Sequence, residues 1–379
     1  MSKQEFKLFS SLTLGSDGNH EGFKLKHRVV LAPLTRCRAV VGDCEHTEHG
    51  ITYYQQRTSE GGLIISEATQ ITPQGQGYPA TPGIYSKAQI ESWKKITDAV
   101  HQKGGIIACQ LWHVGRVRWA DSVSSSSVPL GENATDLKTM QQVPAEAPRA
   151  LSVEEIKQVV EQYGVAAKNA IEAGFDLVEL HAANGYLIDQ FLQDGVNKRT
   201  DEYGGSIENR IRFLKEVVES VLKHLNNESY RVGVRISPSG VFNNMSDSNP
   251  QELFTEVTKL LNNYNLAYLH VIEPRANLVY SKAAEEVEAV SAVACKQLRQ
   301  YFKGPIIAAG GFNRQTAIDI VESGDADLVA FGRYFISNPD LPLRLEKNLP
   351  LSRYNRDTFY YSSDLVTGYT NYPFYSEEQ

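Results

Sequence analysis

Three side chains in the stretch HAANGY could act together on a carbonyl compound. His181 and Asn184 are three residues apart, so at the start of a helical turn they share one face and can donate hydrogen bonds to one oxygen. Such donors stabilise the negative charge that develops there when a hydride adds to a conjugated carbon. Tyr186, with an ordinary pKa of about 10, stays protonated at neutral pH and can supply a proton. The alternative is a structural histidine followed by an Asn184-Gly185 turn.

Two short glycine motifs near the end of the chain have the chemistry of a phosphate site. Gly310-Gly311 and Gly332-Arg333 each follow a run of aliphatic residues. Glycine lets backbone N–H groups approach a ligand closely, and Arg333 can add a charge-assisted contact to an anion. A structural turn explains any one of these glycines, but their joint placement favours phosphate binding.

Eight aliphatic runs are the elements that must position these residues. Each precedes a longer stretch with apolar residues at helical intervals, and continuous apolar runs are typical of buried parallel strands. The runs are VVLAPL from Val29, GLIISEA from Gly62, GGIIACQ from Gly104, FDLVEL from Phe175, RVGVRI from Arg231, AYLHVI from Ala267, GPIIAAGG from Gly304 and ADLVAFG from Ala326. This order predicts an α/β fold, a (β/α)8 TIM barrel forming a single domain over residues 1–379. An open doubly wound sheet would need a Gly-x-Gly-x-x-Gly turn after an early strand, and none follows the first two runs.

Helix boundaries and connections complete this prediction. Ser152 and Glu155 form a capping-box pattern, and Gly174 stands where the same helix should end. The segment before Val29 is expected to cap one end of the barrel. The Ser- and Pro-rich connection 114–150 follows the third strand, so it is expected to form a lid or rim at the carboxyl end, or else a mobile surface loop without a catalytic role.

Active sites of this fold consist of residues that directly follow the strands. These positions are unusually polar in this chain, beyond the three residues of HAANGY and the glycine motifs. They include Thr35 after the first strand, Ala68 after the second, Gln110 at the end of the third and Arg235 in the fifth. Their common location predicts one site at the carboxyl end of the barrel.

Composition excludes several classes of function. With 38 Lys and Arg against 45 Asp and Glu, the net charge of −7 disfavours a nucleic-acid groove. No apolar stretch is long enough to span a membrane, and the first residues do not resemble a secretory signal. The four cysteines form no CxxC pair, and the irregular spacing of Cys37, Cys44, His46 and His49 predicts no metal site.

Long motifs across the chain resemble the Old Yellow Enzyme family, and most closely its oxophytodienoate reductase branch. They occur in the family's order from about Phe6 to Phe374. The motifs are LAPLTRCRA, SEATQIT, QLWHVGR, HAANGYLIDQFLQDGVNKRTDEYGGSIENRIRFL, GVRISP, the Gly310-Gly311 pair, FGRYFISNPDLPLRL and NRDTFYYSSDLVTGYTNYP.

The resemblance implies FMN as the cofactor. The residues implied to bind it are Pro33, Leu34, Thr35, Ala68, Gln110, Arg235, Gly310, Gly311, Gly332 and Arg333. Thr35 is implied to bond to the flavin O4, Gln110 to hold the pyrimidine edge and Arg235 to lie near N1 and O2. The implied substrate site comprises His181, Asn184, Tyr186 and the aromatic residues Tyr78, Trp112 and Tyr360; Phe359 is a further pocket-wall candidate, and core packing is the alternative for all the aromatic residues.

The implied reaction has two halves. NADPH reduces FMN and leaves; the flavin then passes a hydride to the β-carbon of an α,β-unsaturated carbonyl while Tyr186 protonates the α-carbon. Asn184 departs from the plant reductases, which often pair two histidines, and this puts substrate preference in question. The ending FYSEEQ lacks a Ser-Lys-Leu-type peroxisomal signal, so we expect a cytoplasmic protein, as a monomer or weak homodimer.

Two other functions fit parts of the pattern. A TIM-barrel lyase or isomerase of a phosphorylated metabolite would use His181 and Tyr186 as acid and base and would be colourless. A non-catalytic flavin-binding protein would keep the FMN pocket, but flavin binding alone does not require a proton donor such as Tyr186.

Overall fold

A computed structural model describes residues 6–16, 20–276, 293–360 and 364–376, and the eight predicted strands form a closed parallel barrel in it. The strands are β1 (Val29–Leu31), β2 (Leu63–Ile65), β3 (Ile106–Trp112), β4 (Leu177–Ala182), β5 (Val232–Ile236), β6 (Tyr268–Ile272), β7 (Ile306–Ala309) and β8 (Leu328–Phe331). Each strand pairs with the next along the chain, and β8 pairs with β1 to close the barrel. The predicted fold class is therefore confirmed.

Helices follow the strands and surround the barrel. The described ones are α1 (Glu48–Arg57), α2 (Lys87–Gln102), α3 (Val153–Glu172), α4 (Leu187–Leu192), α5 (Ile207–Arg210), α6 (Arg212–His224), α7 (Pro250–Asn262), α8 (Cys295–Leu298), α9 (Arg314–Ser323), α10 (Arg333–Ser337) and α11 (Leu341–Lys347). Both halves of the Ser152–Glu155 capping box are present, and Gly174 has a φ of 87° just after α3. Within the described residues, no helix is both long and apolar enough to cross a membrane.

An N-terminal hairpin packs at the amino end of the barrel. Its two strands, Leu12–Leu14 and Phe23–Leu25, are antiparallel. Leu14 and Leu25 belong to the same buried cluster as Leu63, Leu177 and Leu328, which are the first residues of three barrel strands. The hairpin therefore covers the end opposite to the predicted site, and the carboxyl end is left for the site.

The connection 114–150 after β3 is folded. It contains the hairpin strands Asn133–Thr135 and Gln142–Pro144, and the short strand Val123–Ser124 pairs with Arg149–Ala150. Arg116 is buried and donates hydrogen bonds to the carbonyl groups of Val128 and Pro129 within the loop and of Asn243 beyond β5. These bonds fix the base of the loop at the carboxyl end of the barrel.

Candidate functional site

The β4–α4 connection presents His181, Asn184 and Tyr186, but not by helical spacing. His181 is the last residue but one of β4, and Tyr186 immediately precedes α4. Asn184 and Gly185 form a turn between them, with φ values of 58° and 72°. The expectation that His181 and Asn184 share a helical face is therefore wrong, because the chain changes from strand to turn between these two residues.

Contacts with the β5–α7 connection fix this turn in place. The Asn184 N–H donates to the Ser237 hydroxyl at 2.8 Å, and the Asn184 carbonyl accepts from Asn243 Nδ2 at 2.8 Å. A Cβ on Gly185 would lie 2.7 Å from Met245 Cγ, so only glycine fits at that position. Both backbone polar groups of Asn184 are thus satisfied inside the protein.

Aromatic rings surround Tyr186. Its ring packs edge-on against Trp112, with centroids 5.0 Å apart, and against the His181 ring, also at 5.0 Å. Trp112 stacks on Tyr78 at 5.7 Å, and the Tyr78 and Tyr186 hydroxyl oxygens are 3.5 Å apart. Ala68, a predicted flavin residue, belongs to the same buried cluster. The structure therefore brings predicted substrate residues and a predicted cofactor residue into contact.

His181 is a buried neutral imidazole. Its side chain is enclosed, and burial lowers its pKa well below the ordinary value, with repulsion from the charged Arg235 adding to the effect. Its Nδ1 is buried and has no hydrogen-bond partner among the residues that the structure describes. A buried polar atom without a protein partner can form a hydrogen bond with a ligand.

A polar layer inside the barrel lies next to His181. Gln110, Glu179 and His270 are buried on three different strands, and the Glu179 carboxylate accepts from Gln110 Nε2 at 2.7 Å and from His270 Nδ1 at 2.8 Å. Arg235 lies beside both His181 and His270 in the strand register. Neither Glu179 nor His270 was predicted from the sequence, although the charge of Glu179 among the apolar residues Leu177, Val178 and Leu180 is a visible signal.

The glycine motifs end β7 and β8 as predicted. Gly310 and Gly311 have φ values of 121° and 68°, which side-chain-bearing residues rarely adopt. Gly332 follows β8, and a Cβ there would come within 3.1 Å of Leu34 Cδ2 on the β1 connection. Arg333 is partly buried, and its guanidinium lies 5.3 Å from the centre of the Tyr354 ring. Without side chains, the glycines of both motifs let backbone N–H groups approach an anion closely.

The other predicted residues are divided between the site and the C-terminal segment. Pro33 is buried and Thr35 is half-buried in the β1 connection, directly after Leu31 at the barrel mouth. Tyr360, in contrast, is 52% exposed and packs edge-on against Phe359 at 6.5 Å. Neither Phe359 nor Tyr360 belongs to the buried cluster around Tyr186.

Three buried arginines that the sequence analysis missed tie the C-terminal segment to the barrel. Arg36 donates to the carbonyl groups of Phe359 and Gly368, and Arg38 to that of Thr358. The carbonyl partners of Arg57, at the end of α1, include those of Phe335, Ile336 and Tyr369. These contacts hold the chain around residue 360 beside the connection that carries Thr35.

The described residues contain no group of three or more His, Cys, Asp or Glu side chains that could hold a metal ion. Cys37 and Cys44 are buried, and neither forms a disulfide bond. The buried His46 ring lies 3.7 Å from Glu67, and burial lowers its pKa to about 3. His46 is therefore part of the core.

Buried titrating groups predict a loss of stability in weak acid. Burial keeps five histidines neutral in the folded protein: the pKa is about 3 for His46 and His113 and about 4 for His27, and it is lowered in the same direction for His181 and His270. Unfolding therefore takes up about five protons below pH 6.5. Burial raises the pKa of Glu67 to about 7 and of Asp189 to about 6, so unfolding releases about two protons near pH 5.5. The balance of about three protons destabilises the fold by roughly 4 kcal/mol per pH unit between pH 6 and 5.

Urea unfolding at pH 6 and at pH 5 measures this difference directly. We expect a lower unfolding midpoint at pH 5 with an unchanged slope. A higher midpoint at pH 5 would show that the two carboxyl groups outweigh the histidines.

Comparisons with known proteins agree with this geometry. The model of the NADH:flavin oxidoreductase / NADH oxidase family matches residues 7–352. The chain is 48% identical to 12-oxophytodienoate reductase 2 of Arabidopsis thaliana, over 93% of this chain and 92% of the relative. It is similar to the solved structure of an old yellow enzyme homologue from Zymomonas mobilis (TM-score 0.87, 39% identity, 97% and 99% of the two chains). It is also similar to morphinone reductase in complex with tetrahydroNAD (TM-score 0.86, 41% identity, 98% of each chain).

Proposed function

Because the chain belongs to the NADH:flavin oxidoreductase / NADH oxidase family, we propose that His181, Asn184 and Tyr186 carry out its chemistry on substrate. The protein is an FMN-dependent ene-reductase, which reduces activated C=C bonds. Family membership favours neither of the two alternatives, which are the TIM-barrel lyase or isomerase and the non-catalytic flavin-binding protein. The observation that carries the residue assignment is the packing of Tyr186 against His181 and Trp112 at the barrel mouth.

When bound and reduced by a nicotinamide coenzyme, FMN would supply a hydride for the β-carbon of the substrate. His181 and Asn184 hold the substrate carbonyl oxygen and stabilise the charge that develops on it. The His181 ring is neutral, so it contributes one N–H donor and adds no charge to the site. Tyr186 then donates its phenolic proton to the α-carbon, where a C–H bond forms, and the tyrosinate left behind takes a proton from solvent.

The residues of the barrel mouth fit FMN. Gly310, Gly311 and Gly332 offer backbone N–H groups without side chains in the way, and Arg333 adds a positive charge for the phosphate. We assign the isoalloxazine ring to residues that follow β1 and β2 and to one residue within each of β3 and β5. These are Pro33, Leu34, Thr35, Ala68, Gln110 and Arg235.

The substrate is an α,β-unsaturated carbonyl compound of the oxophytodienoate class. Trp112 and Tyr78 form the apolar wall of its site, since their rings stack beside Tyr186. The half-exposed Tyr360 has an outer position and would contact only a long substrate. NADPH is the proposed reductant.

Domain organisation, oligomeric state, location and partners are also part of the proposal. We assign one domain to residues 1–379, a monomer or weak homodimer, and a cytoplasmic location. The net charge of −7 fits a protein whose partners are small molecules and not nucleic acids or membranes.

Spectroscopy and anaerobic turnover test the assignment together. The purified protein is expected to be yellow and to oxidise NADPH faster than NADH without oxygen, and to do so repeatedly only when cyclohexenone is present. 12-Oxophytodienoate replaces cyclohexenone in a second series. A colourless protein that takes up no added FMN would contradict the proposal.

Replacing both oxygen-binding residues should abolish phenol binding. Phenols resemble the substrate enolate, and their complexes with flavin give a long-wavelength absorption band. In the His181→Ala/Asn184→Ala protein we expect this band to disappear at phenol concentrations that saturate the parent, while FMN remains bound. Titration with 4-chlorophenol measures the band, and a band of unchanged strength would contradict the role of these two residues.

A further inference from the structure

Glu179 is an enclosed carboxylate in the interior of the barrel. It lies on β4 two residues before His181, so both side chains extend from the same side of the strand. Its side chain is 0% exposed, and one oxygen accepts from Gln110 Nε2 while the other accepts from His270 Nδ1. Both partners come from other strands, at 2.7 and 2.8 Å, so the carboxylate is held from two directions.

The charge on Glu179 is opposed by Arg235 and not by its histidine partner. Burial alone would raise the pKa of Glu179, but the hydrogen bond from His270, the charge of Arg235 and the hydrogen bond from Gln110 outweigh burial and leave the pKa below the ordinary value. Burial lowers the pKa of His270, so its ring is neutral and donates from Nδ1. The His270 Nε2 is buried and has no hydrogen-bond partner among the described residues, as suits a nitrogen that carries no hydrogen. The layer therefore holds one negative charge beside one positive charge.

Glu179 also fixes which end of the Gln110 amide meets a ligand. A glutamine amide has an NH2 group that donates and an oxygen that accepts. Because the carboxylate holds the NH2 group, the amide oxygen of Gln110 is the end left for another partner. Rotation of the amide by 180° would place that oxygen against the carboxylate, which is unfavourable for two acceptors.

We propose that Glu179 is a positioning residue for the flavin: it orients Gln110 so that the amide oxygen accepts from the N–H of the pyrimidine ring, and its charge offsets that of Arg235. This inference rests on the proposed placement of the pyrimidine ring against Gln110 and Arg235. A reduced flavin that is anionic beside Arg235 would be repelled by a nearby carboxylate, so Glu179 would disfavour reduction and lower the reduction potential. Glu179 therefore limits how strongly Arg235 favours the reduced cofactor.

Glu179→Gln removes the charge and keeps the shape of the side chain. We expect the ratio of reduced to oxidised FMN, at a fixed solution potential, to rise about tenfold, which is about 30 mV for a two-electron couple. Anaerobic equilibration with a reference dye measures this ratio without any turnover. An unchanged or lower ratio in a Glu179→Gln protein that retains FMN would overturn the electrostatic part of the proposal.

Glu179→Asp is the matched variant, since it keeps the charge and shortens the reach to Gln110. We expect its FMN dissociation constant to rise about tenfold, while its reduced-to-oxidised ratio stays within about threefold of the parent. The same substitution in a Gln110→Ala background should weaken FMN binding by less than threefold, because the interaction is already absent. Equal weakening of FMN binding in both backgrounds would overturn the orienting role of Glu179. This comparison can be made even if the Glu179→Gln protein fails to fold.

The proposed function is tested separately on the parent protein. If the parent binds FMN and reduces cyclohexenone while the Glu179 variants match it in potential and affinity, only the role of Glu179 is overturned. A parent that binds no FMN would instead overturn the function itself.

Discussion

A Tyr186→Phe protein is expected to be reduced by NADPH at the parent rate and to turn over cyclohexenone about 100-fold more slowly. The substitution removes one oxygen and leaves the ring, so the packing against Trp112 and His181 is preserved. The first half-reaction needs no proton donor at this position, whereas protonation of the α-carbon does. Stopped-flow measurement of the two half-reactions separates the two effects.

Tyr78→Phe is the matched control for this prediction. Its hydroxyl lies 3.5 Å from that of Tyr186 and stands in the same aromatic cluster, but it is not the proposed donor. We expect less than a tenfold loss of enone turnover. Equal enone turnover by the Tyr186→Phe and parent proteins would remove the proton-donor role from Tyr186.

The barrel could be predicted from sequence because its strands are buried on both sides. The run GPIIAAGG, for example, contains four consecutive apolar residues, which become the buried strand Ile306–Ala309. Parallel strands of this kind place their carboxyl ends together, so the strand order alone locates His181, Gln110 and Arg235 at one end. The site at the carboxyl end of the barrel was therefore predicted from the positions of these residues along their strands.

The internal contacts of the site could not be predicted in the same way. Glu179 meets Gln110 and His270 across 69 and 91 residues of sequence, and no local spacing encodes those pairs. The helical face expected for His181 and Asn184 was wrong for a different reason, since an interval of three residues suits a helix but does not require one. The Asn184-Gly185 turn, which the sequence offered only as the alternative, is shown by the positive φ values of both residues. Side-chain contacts between strands that are distant in the sequence therefore could not be predicted.

Arg57 is expected to contribute more to stability than any exposed charge on the chain. It is 1% exposed at the end of α1, and its guanidinium lies 3.8 Å from the centre of the Tyr53 ring. Burial lowers its pKa to about 10, so it is still charged at neutral pH. Its carbonyl partners, which include those of Phe335, Ile336 and Tyr369, join α1 to α10 and to the C-terminal segment.

Arg57→Met is expected to lower the free energy of unfolding by about 3–5 kcal/mol, because buried carbonyl groups lose their donor at once. Urea unfolding of the FMN-bound protein measures the loss, and limited proteolysis should show faster cleavage near residue 360. The control is Arg356→Met, an exposed arginine in the same C-terminal region, for which we expect a change within about 0.5 kcal/mol. If both variants unfolded at the same urea concentration, the buried guanidinium would not be what holds the C-terminal segment against the barrel.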